Sequence, residues 1–180
     1  MATGWRVFLA TCVLLGARLA TAAPVDERAV KALLVINFAK FVEWPEAPEA
    51  SEAPLVIGVL EPDTLGATLD RLAAATTVRG RPVVVRRFGR PQDVSDVHVL
   101  YAGRGSNDAT SLALERSRKG VLTVGEGDDF IERGGIVRLF TVKDRVRFEI
   151  SPEAAILAGL DVDSHLLQLG TPATATRGRR

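Results

Sequence analysis

The sequence predicts an α/β fold in a single domain, with a mixed, mainly parallel sheet, helices on both faces and a C-terminal hairpin. Three observations carry that expectation. Residues 55–60 and 120–124 are apolar on both faces, the mark of strands buried on both sides rather than one. These runs alternate with stretches of helical spacing over short connections, the order that builds a parallel sheet. Near the end the pattern changes, and residues 145–150 alternate Arg145, Arg147, Glu149 with Val146, Phe148, Ile150, as an antiparallel strand with one wet face does.

Residues 1–22 read as a secretory signal peptide. Arg6 supplies the positive start, residues 7–16 the apolar run, and Ala20-Thr21-Ala22 the small-residue cleavage site. That apolar run is about half of what a bilayer span requires. The expected organisation is a signal peptide over 1–22, one folded domain over 23–170 and a disordered Thr/Ala/Gly/Arg tail over 171–180. Cys12 is the only cysteine and lies in the leader, so the exported chain has none and relies on its packed core rather than on disulfides. Removing Arg6 and Arg18 leaves 21 basic against 22 acidic residues. No basic stripe exists, which argues against nucleic acid as a partner.

The first helix is expected from Asp26 to about Val42, with Asp26 and Glu27 at its positive end. Pro45 stops it. Along Asn37-Phe38-Ala39-Lys40-Phe41-Val42-Glu43-Trp44-Pro45, the residues Phe38, Phe41 and Val42 form a core stripe. Asn37, Lys40 and Trp44 share helical spacing beside it and are candidate contact residues. Residues 46–53 form a Pro/Glu/Ala linker before the buried strand at 55–60. A second helix opens at Pro62-Asp63-Thr64-Leu65 with Leu65, Leu69 and Leu72 on one face. Strands follow at 83–87 and 96–101, a helix capped by Asn107 or Asp108 runs to about Arg118, and residues 120–124 form the next strand. Residues 136–141 and 145–150 flank a turn at Val142-Lys143-Asp144. Ser151 then caps a helix with Pro152 at its first position, and residues 162–169 form a last short helix.

Catalytic signatures are missing. There is no His-Glu-x-x-His, no cysteine pair and no Gly-x-Ser-x-Gly, and the two histidines, His98 and His165, are too few for a typical metal cage. No cofactor is expected. His98 reads as a satisfied strand histidine, and His165 as an exposed residue available to a partner. Gly103-Arg104-Gly105 lies where a phosphate loop would, but lacks the third glycine of a dinucleotide fingerprint. Gly125-Glu126-Gly127-Asp128-Asp129 reads as a turn with a cap rather than a cation loop. Arg138, Arg145 and Arg147 project from the hairpin as either an anion-binding patch or an ordinary solvated face paired with Glu149 and Asp144, with the solvated face slightly favoured.

The run from Asn37 to Pro45, Pro54-Leu55-Val56-Ile57-Gly58-Val59-Leu60, Val78-Arg79-Gly80-Arg81-Pro82, Leu122-Thr123-Val124-Gly125, Arg133-Gly134-Gly135-Ile136 and Arg145-Val146-Arg147-Phe148-Glu149-Ile150 together resemble the YfiR family in order and spacing. The resemblance implies a periplasmic regulator that binds and represses an inner-membrane diguanylate cyclase, lowering cyclic-di-GMP and biofilm formation. The related histidine kinases are an alternative partner, and a homodimer is also compatible with the family. Ile36 stands in place of a Tyr common in the family, Val97 in place of a cysteine and His165 in place of a lysine. With no cysteine in the exported chain, redox-controlled release is excluded. The leading expectation is therefore a non-enzymatic regulator. The alternative is a periplasmic binding protein that takes a small ligand at the sheet's carboxyl edge, beside Gly58, Arg104 and Gly125. A deep pocket lined by Arg104, Glu126 and Arg138 would favour the ligand, and a shallow apolar patch near Trp44 and the last helix would favour a protein partner.

Overall fold

The computed structural model describes residues 26–44, 53–105, 107–117 and 119–172. The expected signal peptide, most of the linker, and residues 173–180 lie outside the described residues. In chain order the first half comprises α1 (Glu27–Phe38), β1 (Val42–Glu43), β2 (Leu55–Leu60), α2 (Ala67–Ala74), β3 (Thr77–Val78), β4 (Arg81–Phe88) and β5 (Val99–Ala102). The second half comprises α3 (Asn107–Arg116), β6 (Leu122–Gly125), β7 (Val137–Val142), β8 (Arg145–Ile150), α4 (Pro152–Leu157), β9 (Asp161–Val162), α5 (Ser164–Leu169) and β10 (Thr171–Pro172).

One eight-stranded sheet in the order β10-β8-β7-β6-β5-β2-β4-β3 organises the molecule. Its central pairs, β4 with β2, β2 with β5, β5 with β6 and β6 with β7, are all parallel. The β7–β8 hairpin and the short β3–β4 pair are antiparallel. Every residue of β2 is buried, as its two-sided apolar sequence requires. Alternate residues point to opposite faces and build separate cores. Ile57, Val59, Val99, Tyr101 and Val124 pack with Val35 and Ile36 of α1 and Leu69 of α2. On the other face Leu60, Leu100 and Ala102 pack with Ala113 and Leu114 of α3 and with Phe130. The fold is thus α/β in one domain, with helices on both faces.

α1 is shorter than its spacing suggests. Asp26 caps it by accepting the Arg28 N–H at 3.0 Å, and its buried stripe is Lys31, Ala32, Val35, Ile36 and Phe38. After Phe38 the chain tightens into a single 3-10 turn, Ala39–Phe41, and then extends. The cause is tertiary: Val42 pairs with Val162 and Glu43 with Asp161, so β1–β9 pairing overrides local helical preference. Asn37, Lys40 and Trp44 therefore do not share a helix face, which corrects the expectation from spacing. Phe38 and Val42 are fully buried as expected.

In the hairpin, Val142 pairs with Arg145 and belongs to the strand rather than the turn. The turn is Lys143-Asp144 alone, with φ of 49° and 59°, the two left-handed residues that a two-residue hairpin loop requires. At the other end Thr171 pairs with Glu149 and Pro172 with Ile150, so the strand pairing extends two residues past the expected domain boundary.

Two glycines serve a ring rather than a turn. A Cβ on Gly125 or on Gly135 would overlap the side chain of Phe130, which lies fully buried between them. Gly135→Ala is expected to lower stability by about 1–3 kcal/mol through overpacking, measured as a drop in the urea midpoint with unchanged slope. Phe130→Leu in the same chain should recover part of that loss.

Candidate functional site

A buried charged network and an apolar patch lie at opposite ends of the parallel strands. α1 spans the distance between them, with Lys31 near the carboxyl end of β6 and the chain beyond α1 reaching Gly120 at its amino end.

At the carboxyl end, a charged network lies in the core. Glu126 follows β6 and is 5 % exposed; Lys31, on the buried stripe of α1, is 8 % exposed. Lys31 Nζ lies 2.6 Å from Glu126 Oε2 and 2.6 Å from Glu27 Oε1, one turn earlier on α1. Tyr101 donates its hydroxyl proton to Glu126 Oε1, and the Thr64 hydroxyl lies 2.7 Å from the Tyr101 oxygen and donates to Glu126 Oε1 at 3.3 Å. Burial alone would lower the Lys31 pKa, but its hydrogen bonds to Glu126 and Glu27 outweigh burial and raise it, so this lysine is charged at all ordinary pH. Burial first, and then the Glu126 charge, push the Tyr101 phenol well above its usual range, so Tyr101 keeps its proton and donates it to Glu126. The network floors an open crevice of about 560 Å³ whose rim carries Arg28, Arg104 and Thr141.

The amino end carries an apolar patch beside Lys119. Trp44, half-buried after β1, donates its indole N–H to the Gly120 carbonyl at 3.0 Å and sets its ring edge-on to His98, 6.0 Å between centroids. Beside it α4 leaves Ile156 73 % and Leu157 82 % exposed. Leu157 separates two shallow grooves of about 440 and 350 Å³, the first shared with Trp44 and Gly120, the second with Leu114 and Ile136.

His98 ties this end together. Its Nδ1 accepts the Val56 N–H at 3.1 Å and its Nε2 lies 2.9 Å from Arg81 Nη2. Burial, and then the Arg81 charge, lower its pKa. Protonation would remove the acceptor for Val56 and set a cation against Arg81. The sign of the pH dependence follows. The unfolded chain takes up this proton near pH 6.5 and the folded chain only at lower pH, so stability falls as pH drops below about 6.5 and levels off below the folded value. Urea midpoints between pH 7.5 and 5 should show that slope, and His98→Asn should reduce it.

The remaining candidates scatter. Arg104 and Glu126 meet in one crevice, 3.9 Å apart. Arg138 does not join them: it pairs with Glu149 across the hairpin at 2.5 Å and with Asp128 at 3.1 Å, and it lies 4.8 Å from the Phe140 ring. Arg147 is exposed on β8. Arg138, Arg145 and Arg147 therefore form no common cradle. His165 is exposed and bonded to its own helix cap, Asp163, at 2.8 Å. Asn37 is half-buried and Lys40 exposed. Lys31, Tyr101, Thr64 and the α4 leucine were not singled out by sequence reasoning. Lys31 carried a signal, because it falls in the helical phase of Ala32, Val35 and Ile36 and so had to be buried. Among the described residues, no group of three or more His, Cys, Asp or Glu could hold a metal ion, and no helix is long and apolar enough to cross a membrane.

A family model described as YfiR/HmsC-like matches residues 28–171, from the first turn of α1 to the start of β10. No curated protein matches the chain.

Proposed function

Because the chain belongs to the YfiR/HmsC-like family, we propose that it is a periplasmic, non-enzymatic regulator that docks on the sensor domain of a membrane-bound diguanylate cyclase and represses it. A histidine kinase of similar sensor build is the alternative partner. The observation that carries the docking reading is the apolar patch of Trp44, Ile156 and Leu157, whose two aliphatic side chains are adjacent in sequence and the most exposed of the large hydrophobic residues described. A large apolar group kept exposed beside an aromatic ring is the usual mark of a protein contact. Ile156 and Leu157 lie on α4, and the last helix, α5, adds the exposed Leu169.

The physics asks for nothing more. A soluble domain shifts a two-state membrane sensor by binding one state more tightly than the other, without turnover. The test is Leu157→Asp, exported in a strain carrying the partner cyclase. Loss of repression, with cyclic-di-GMP rising toward the level of a strain lacking the regulator, is the expected result. Full repression by this variant would remove the patch from the mechanism.

A further inference from the structure

We propose that the crevice at the carboxyl ends of β2, β5 and β6 binds a small hydrophilic oxyanion, a carboxylate or phosphate held between Arg28 and Arg104. Topology places it. β2 lies between β4 and β5, the connection after β2 leaves to the α2 face and the connection after β5 to the α3 face, so the two loops diverge above the sheet. Such a switch point is where open α/β sheets receive ligands. At about 560 Å³ the crevice falls within the usual range for small-molecule sites. The loops meet tightly at its edge, since a Cβ on Gly103 would lie 3.1 Å from the Pro62 carbonyl and from Thr64.

The lining decides the chemistry. Every side chain facing the crevice is charged or a threonine, with no aromatic or aliphatic wall for an apolar ligand. Its acids are already engaged. Asp26 caps α1, Glu27 holds Lys31 and accepts from Thr141 at 2.9 Å, and Glu126 takes Lys31, Tyr101 and Thr64. Lys31 in turn is held between two carboxylates. The guanidiniums are different. Among the described residues Arg28 makes no ion pair, and Arg104, its side chain 73 % exposed, stops 3.9 Å from Glu126, beyond hydrogen-bond length. Arg28, without an ion pair among the described residues, and Arg104, whose one pairing to Glu126 is long and mostly in solvent, are the least engaged charges of the crevice and the groups free to take an anion from solution. The buried pair below them offers fixed donors and acceptors to the rest of that ligand. Keeping such a pair desolvated costs stability that apolar residues would not, which fits a site better than a scaffold.

The inference stands apart from the docking reading, because the crevice is at the other end of the strands. The full exported chain is titrated with citrate and, separately, with inorganic phosphate at about 0.15 M salt, where surface pairing is screened, and heat is recorded by calorimetry. Saturable binding of either is expected. Citrate alone would assign the carboxylate source, and phosphate alone the phosphate one. Arg104→Gln should weaken binding at least tenfold, and the double change with Arg28→Gln should abolish it, with the melting temperature of the anion-free protein unchanged. No saturable heat with either probe would overturn the site, as would binding that survives in the double variant. Neither result would touch repression through Leu157.

Discussion

Lys31→Met is expected to lower the unfolding free energy by about 3–5 kcal/mol, the cost of leaving a buried charge without its partner. Methionine keeps the unbranched stem, so packing on the α1 stripe is nearly preserved and the loss reports the charge. Glu126, 5 % exposed, would retain only the hydroxyls of Tyr101 and Thr64 and the distant Arg104. Lys31→Met with Glu126→Leu removes both charges and should recover most of the loss. Urea unfolding of the parent chain, the single variant and the double variant at pH 7 reads all of this. A single-variant loss below about 1 kcal/mol would mean that water reaches the pair and screens it.

What could be read in the sequence was set by how local the cause is. β2 was legible because burial on both faces writes an unbroken apolar run, and β8 because one wet face writes an alternation. The start of α4 followed from Ser151-Pro152, and Gly159 adopts φ of 72° after the helix. The end of α1 was not legible. Its spacing continues through Phe41, and only Val162, far along the chain, draws Val42 into a strand. β3 and β10, two residues each, carry no periodic signal at all. The same division holds at the crevice. Arg104 and Glu126 could be named from their place after strands, whereas the Tyr101 hydroxyl hides in a run that reads as plain core. Arg138 pairs with Glu149, directly opposite, as the favoured solvated-face reading had it, but its second acid is Asp128 rather than Asp144, since alternation gives the face of a residue and not every acid that reaches it.

Leu157→Asp should abolish repression while leaving the fold intact, and the separation of those effects makes it a sharper probe than Trp44→Ala. Trp44 packs on the main core and its indole holds Gly120, so its loss would remove structure and contact together. Leu157, 82 % exposed, contributes little to folding, and an exposed substitution at this site should change stability by no more than about 0.5 kcal/mol. In a docked complex the leucine would be worth roughly 1.5–3 kcal/mol of burial. An aspartate there would add the cost of desolvating an unpaired carboxylate, for a combined loss of at least about 3 kcal/mol, or more than a hundredfold in affinity. Ile156→Ser should act in the same direction but less, since it deletes burial without adding a charge. Trp44→Phe keeps a ring on the core and loses only the indole N–H, so it should retain most repression if the contact is apolar. The ordering Leu157→Asp worst, Ile156→Ser intermediate and Trp44→Phe mildest, measured as cyclic-di-GMP at equal levels of exported protein, would place the partner on α4. Equal repression by all three would place it elsewhere.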